Sequence, residues 1–128
     1  MKKTSLMLML GAVVVSLTVG SALALPPFMK EWNAKYIEGN GNKGFTEAAG
    51  TAKCAVCHEA GNDKKLKNEY GKAVGKFLTK AGNNEVKGDP DKAKKYVVEG
   101  LEKAAAEKSS GGKTYGEIIK EGKLPAGG

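Results

Sequence analysis

The sequence is poor in the residues that most often carry chemistry. Arginine is absent, so all 21 basic residues of the 128-residue chain are lysines, and there are only two cysteines, one histidine and one tryptophan. Two cysteines exclude a disulfide-rich scaffold. The formal net charge is +7, but a chain without arginine lacks the guanidinium that reads phosphate, so we expect no nucleic-acid partner. With one histidine and no arginine to handle protons or anions, we do not expect an enzyme.

The N-terminus has the pattern of a secretory signal peptide. Lys2 and Lys3 precede the apolar run LMLMLGAVVVSLTVG, and Ala22-Leu23-Ala24 forms an A-x-A cleavage site. This order of a positive, an apolar and a small-residue region predicts cleavage after Ala24, although the apolar run approaches the length of a membrane anchor. We therefore expect residues 1–24 to be a signal peptide and residues 25–128 to form one exported, periplasmic domain with no membrane span.

The rest of the chain lacks any strand pattern. No stretch alternates β-branched and aromatic residues with polar ones, whereas apolar residues recur at helical spacing between glycine, asparagine and proline breaks. This predicts an all-α domain of four to five short helices. Asp89 followed by Pro90 is typical of a helix start, and Thr114 with Glu117 has the form of a capping box.

Three further boundaries are predicted in the middle of the chain. FTEAAGTAKCAVCHEAG, residues 45–61, is expected to be one short helix that carries both cysteines. A helix capped by Asp63 should follow, with an apolar stripe that begins at Leu66. GNNEVKG, residues 82–88, is expected to be a loop because glycine and asparagine cluster in it.

Both cysteines and the histidine fall within the stretch CAVCHEA, residues 54–60. A redox dithiol would be expected after a strand, and this chain shows none. A structural zinc ion would need a fourth ligand, and a disulfide across two residues would stabilise little. The spacing C-x-x-C-H is the attachment pattern of c-type haem. It makes Cys54 and Cys57 the thioether anchors of one covalent haem c and His58 the proximal iron ligand, with a backbone carbonyl expected at its other ring nitrogen.

Four stretches of the chain are PPFMKEW, the C-x-x-C-H sequence, NEYGKAVGKFL and the closing YGEIIKEGKLP. In these stretches the chain resembles small exported monohaem c-type cytochromes of planctomycete-type bacteria. The resemblance implies a cytochrome c-like fold, with the helices packed around the haem, and electron transfer. We expect haem contacts from residues at helical spacing, namely Tyr70, Val74, Phe77, Tyr96, Val97 and Ile118.

The second axial ligand is absent from its usual place. No methionine or histidine follows His58, and the predicted mature chain keeps only Met29, upstream. Three cases stay open. Met29 binds the iron in the first, with Phe28 and Trp32 as walls. The distal position is open in the second, facing apolar residues such as Phe77, Leu78 or Val97. In the third, a lysine or one of four tyrosines binds: Tyr36, Tyr70, Tyr96 or Tyr115.

Two functions follow from these cases. The first is a soluble electron carrier, in which Lys53, Lys64, Lys65 and Lys67 steer redox partner proteins with acidic docking surfaces. The second is a cytochrome c′-like haem protein that binds small gases such as NO or CO at a five-coordinate or weakly six-coordinate iron. A small homodimer is compatible with either function.

Overall fold

The computed structural model describes residues 27–59 and 66–127. Within these ranges the chain forms six α-helices and one short 3₁₀ helix, with no β-strand. No helix in the described ranges has the length and hydropathy needed to cross a membrane. The predicted signal peptide, residues 1–24, and the predicted cap Asp63 lie outside the described residues.

The elements follow one another with short connections. They are α1 (Pro27–Tyr36), α2 (Lys43–Ala52), the 3₁₀ helix (Lys53–Val56), α3 (Glu69–Phe77), α4 (Lys80–Val86), α5 (Pro90–Ala106) and α6 (Tyr115–Lys120). The all-α class is therefore confirmed for the described residues, although with six α-helices rather than four or five.

Capping residues explain where several of these helices begin. The Asp89 side chain accepts from the amides of Asp91 and Lys92, with Pro90 at the first helical position of α5. At α6 the Thr114 hydroxyl accepts from the Glu117 amide, while the Glu117 carboxylate accepts from the Thr114 amide. Both predicted starts are confirmed, because each side chain satisfies amides that the first turn leaves without partners.

The segment after Phe77 differs from the sequence prediction. We expected one helix to run to Gly82 and a loop to follow, but the chain is extended at Leu78 and Thr79, and α4 covers much of the expected loop. The Thr79 side chain accepts from the Gly82 amide, and the Tyr96 hydroxyl accepts from the Thr79 amide at 2.9 Å. These two bonds supply a cap and a tertiary anchor, which outweigh the low helix propensity of glycine and asparagine.

The longest helix, α5, lies at the centre and packs against α1, α3, α4 and α6. Its buried face includes Val97, Leu101 and Ala104. The core also contains a polar link between α1 and α3, in which the Trp32 Nε1 donates to the Tyr70 hydroxyl at 3.0 Å. This link fixes α1 against α3, and the candidate site lies between these two helices.

Candidate cofactor-binding site

A cavity of about 250 Å³ lies between α1, the segment with the cysteines, α3 and α5. The side chains that form its apolar walls are Phe28, Met29, Trp32, Val74 and Leu101. Its volume lies just below the roughly 300–1,000 Å³ of typical ligand pockets, so a larger flat group bound here would keep an edge in solvent.

Four polar side chains line the same cavity. They are the thiols of Cys54 and Cys57, the imidazole of His58 and the ammonium of Lys67. Cys54 and Lys67 are exposed, whereas Cys57 and His58 are partly buried. The three residues singled out in CAVCHEA therefore face one apolar cavity together, with Cys54 at its mouth.

The cysteines lie on a tight turn and not on the continuous helix that the sequence predicted. α2 ends at Ala52, because Lys53 adopts φ 47°, a left-handed conformation that is uncommon for a residue with a side chain. The next turn is closed by bonds from the Cys57 and His58 amides to the Cys54 carbonyl, at 3.2 and 2.9 Å. This single turn keeps the i, i+3 relation that brings both sulfurs to one side.

Asn68 holds this turn against α3. It is buried, and its side-chain amide donates to the carbonyls of Ala55 and Val56 at 3.0 and 3.1 Å and to that of His58 at 3.3 Å. Its side-chain oxygen accepts from the Gly71 amide at 2.8 Å and so caps α3. One side chain thus caps the start of α3 and donates hydrogen bonds to three carbonyl oxygens of the cysteine turn. Buried carbonyl groups need such partners.

One glycine, Gly71, brings the α3 backbone next to the turn. A Cβ on Gly71 would lie 1.8 Å from the Cys57 carbonyl oxygen, a distance that only the absence of a side chain permits. Gly75, one turn further along, also faces the cavity. The space beside Gly71 is thus filled by the backbone of the turn, and the space beside Gly75 holds the Lys67 side chain, whose Nζ lies 2.8 Å from the missing Cβ.

The ring of His58 is oriented by a backbone carbonyl. Its Nδ1 lies 3.3 Å from the Leu66 oxygen, and the backbone of His58 pairs with that of Lys67 in an isolated antiparallel bridge. When Nδ1 carries the proton it donates to this carbonyl, and Nε2 keeps a free lone pair for a metal. The carbonyl partner expected for the second ring nitrogen is present. Leu66 itself is 56% exposed and precedes α3, so its predicted place in the buried stripe was wrong.

The two thiols differ in environment. Burial and, to a lesser extent, the nearby Cys54 raise the pKa of the Cys57 thiol to about 12, while Lys67 opposes the shift. Cys57 is therefore a protonated thiol at neutral pH. A redox dithiol depends on the deprotonated form, which this burial disfavours.

Of the side chains considered as second iron ligands, Met29 and Lys67 line the cavity. Tyr70 and Tyr115 are packed in the core with ring centroids 5.1 Å apart, and Tyr96 bonds to Thr79. Tyr36 lines a second groove of about 600 Å³ between α1, α5 and α6, away from the cavity that Cys54, Cys57 and His58 line. None of the four tyrosines is therefore placed to bind the same iron as His58.

Among the six residues expected as haem contacts, only Val74 lines the cavity. Tyr70 and Val97 belong to the hydrophobic core, and Phe77, Tyr96 and Ile118 pack against it from outside. The error has a physical cause. Helical spacing identifies the buried face of each helix, but it does not distinguish the part of that face that meets another helix from the part that meets a cavity.

Sequence reasoning missed Asn68, Gly71, Gly75 and Leu101 as residues of the site. The pair Gly71 and Gly75 had a visible signal, because two glycines at i, i+4 in an otherwise regular helix indicate a close approach. Asn68 had a weaker one, a good capping residue before an acidic first turn. Leu101 could not be separated from the rest of the α5 stripe.

Comparisons with known proteins found no relative on which to base a function. No family model matches the sequence, and neither the curated proteins nor the solved structures include a significant match. Within residues 27–59 and 66–127, no cluster of three or more cysteine, histidine or acidic side chains is arranged to hold a metal ion.

Proposed function

We propose that the chain is a monohaem c-type cytochrome that works as an exported electron carrier. One haem c would be bound covalently through Cys54 and Cys57, with His58 as the proximal ligand. The observation that carries this proposal is that both thiols, the imidazole and the Met29 side chain line one cavity with apolar walls.

The residues of the cavity fit such a group in three respects. The walls are apolar, with large side chains from α1 and α5 and Val74 from α3. Cys54 and Cys57 are three residues apart on a single turn, so both thiols face the cavity. His58 is turned by the Leu66 carbonyl so that its Nε2 is the nitrogen available to iron.

When bound, the haem iron would supply one-electron redox chemistry, which no side chain of this cavity provides. The protein would anchor the haem, supply ligands to its iron and exclude water from the cavity. Asn68 keeps the cysteine turn in place, and Trp32, Val74 and Leu101 keep the cavity dry. The exposed Cys54 at the mouth would leave one edge of the group near solvent, as electron exchange with a partner requires.

Met29 is proposed as the distal ligand, which favours the carrier over the gas-binding alternative. It is the one thioether of the described residues, and it lines the same cavity as the His58 imidazole. A histidine and methionine pair raises the reduction potential of haem iron and suits electron transfer. An iron held on both sides also has no vacant position for NO or CO.

The first test is the absorption spectrum of the purified, dithionite-reduced protein, recorded with and without carbon monoxide. We expect the spectrum of a covalently bound, low-spin haem that carbon monoxide leaves unchanged. A high-spin spectrum that shifts with carbon monoxide would contradict the carrier assignment and support the gas-binding alternative. A preparation without haem absorption would overturn the haem assignment altogether.

A further inference from the structure

Lys67 is the cation of the cavity, and its position there depends on a glycine. Its Nζ lies 2.8 Å from the point where a Cβ of Gly75 would be, and its Cδ and Cε lie 3.9 Å from that point. The side chain therefore lies across the bare backbone of α3 at Gly75. With any larger residue at position 75, the ammonium would have to move.

The backbone of Lys67 is fixed, so its side chain starts from a defined place. Lys67 pairs with His58 in the antiparallel bridge, and the residues on either side are bonded to the cysteine segment. The Glu59 amide donates to the Leu66 carbonyl, and the Asn68 amide donates to the Cys57 carbonyl, both at 3.0 Å. The ammonium is thus held at the cavity rim by a backbone that belongs to the same unit as the attachment residues.

Among the residues that the structure describes, no carboxylate forms an ion pair with Lys67. The described ion pairs of the protein involve other lysines, such as Lys35 with Glu102 and Lys76 with Glu107. A cation at the rim of an apolar cavity is suited to a ligand with an apolar body and an anionic edge. The porphyrin of a haem has this character, because it carries carboxylate side chains on an apolar ring.

We propose that Lys67 binds a carboxylate of the porphyrin and so positions the ring in the cavity. This inference rests on the proposed function, since it concerns the same haem. Three groups then fix the ring: the thioether pair at Cys54 and Cys57, the iron bond at His58, and the ion pair at Lys67. Gly75 is the position that gives the ammonium room to reach the ring.

The pair would lie at the rim, where Lys67 is exposed, so water and salt screen it and it adds little to stability. Stability is therefore a poor readout. The carboxylate stretching band of the porphyrin and the reduction potential respond to the pair directly, because a cation held beside the ring stabilises the state with more electrons.

The experiment compares the holoprotein with Lys67→Gln, Lys67→Arg and the control Lys72→Gln, which removes an exposed lysine of α3 outside the cavity. The porphyrin carboxylates are labelled with ¹³C, and infrared difference spectra between the oxidised and reduced proteins identify their stretching band. We expect the band to shift and the potential to fall in Lys67→Gln, with Lys67→Arg restoring both. Lys72→Gln should match the parent protein.

An unchanged carboxylate band in Lys67→Gln overturns the inference, even when the potential falls, because the lysine would then act only as a distant charge. An equal shift in Lys72→Gln also overturns it, since any lost lysine would have the same effect. If the parent protein carries no covalent haem, both this inference and the proposed function fail. If haem is present and the band is unmoved, only the role of Lys67 fails.

Discussion

The side chain of Met29 lines the same cavity as the imidazole of His58, and Phe28 and Trp32 flank it on α1. Methionine is also a flexible filler of irregular gaps, so its presence in a cavity wall fits a packing role as well as a ligand role. Leucine has a similar volume and no sulfur, so a substitution to leucine separates the two roles.

In Met29→Leu we expect the reduced protein to bind carbon monoxide and its reduction potential to fall. Removal of the thioether opens the distal position, and axial ligands set haem potentials over a range of about 0.8 V. The fold should lose less than about 1.5 kcal/mol, since the swap conserves volume. Absorption spectra with carbon monoxide and a redox titration measure both effects. Unchanged spectra and potential would show that Met29 only packs.

The contact between α3 and the cysteine turn is a close approach of two backbone segments. It depends on Gly71, because a Cβ there would lie 2.8 Å from the Cys57 carbonyl carbon as well as 1.8 Å from its oxygen. Both atoms belong to the backbone, so no side-chain rotation relieves the contact. The helix or the turn would have to move, and the positions of Cys57 and His58 would change with it.

Gly71→Ala should therefore destabilise the holoprotein by about 2 kcal/mol or more, because the overpacking cost exceeds the roughly 1 kcal/mol by which alanine favours a helix. Gly50→Ala is the matched control. Gly50 is exposed in α2, a Cβ there meets nothing within 4 Å, and the helix should gain up to about 1 kcal/mol. Urea unfolding of the three proteins gives the comparison. Similar effects at the two glycines would argue against the close contact.

Sequence reasoning succeeded where the determinants are local. The starts of α5 and α6 follow from Asp89 and Thr114, whose side chains bond to amides two or three residues away. It failed where tertiary contacts determine where a helix begins or ends. The end of α2 at Lys53 and the separate helix α4 depend on backbone strain and on the hydroxyl of Tyr96, seventeen residues from Thr79. Neither is visible in a window of ten residues.

The residues of the candidate site also fall into two groups, those that local spacing predicts and those that only tertiary contacts bring together. Cys54, Cys57 and His58 are adjacent in sequence, so their spacing was enough to predict one site. Met29 reaches the cavity through the packing of α1, and Lys67 through its backbone bridge to His58, so tertiary contacts bring both there. Periodicity could not predict this, because it shows which face of a helix is buried but not what covers that face.

The charge distribution of the whole molecule leads to a prediction about partner proteins. The formal net charge is +7, and the exposed Lys53 and Lys67 lie next to the cysteine turn at the cavity mouth. Lys64 and Lys65, expected to share this role, lie outside the described residues. A positive surface around an exposed redox group steers negatively charged partners toward it.

Electron transfer to an acidic redox protein should therefore slow as ionic strength rises from about 0.01 M to about 0.15 M, where the screening length falls from roughly 30 to roughly 8 Å. Stopped-flow rates across this range measure the effect. Reduction by a small uncharged reagent is the control and should stay constant. Rates with the acidic protein that are equally constant would rule out docking through the lysines.

The position of Trp32 has an optical consequence. It is the only tryptophan of the chain, it is 1% exposed, and it forms part of the cavity wall. A haem in van der Waals range of an indole quenches its emission by energy transfer, whereas an indole in an apolar core without such an acceptor fluoresces. If the proposed haem occupies the cavity, Trp32 would act as an internal optical reporter, and the intensity of its ultraviolet emission would measure how much of a preparation has acquired haem.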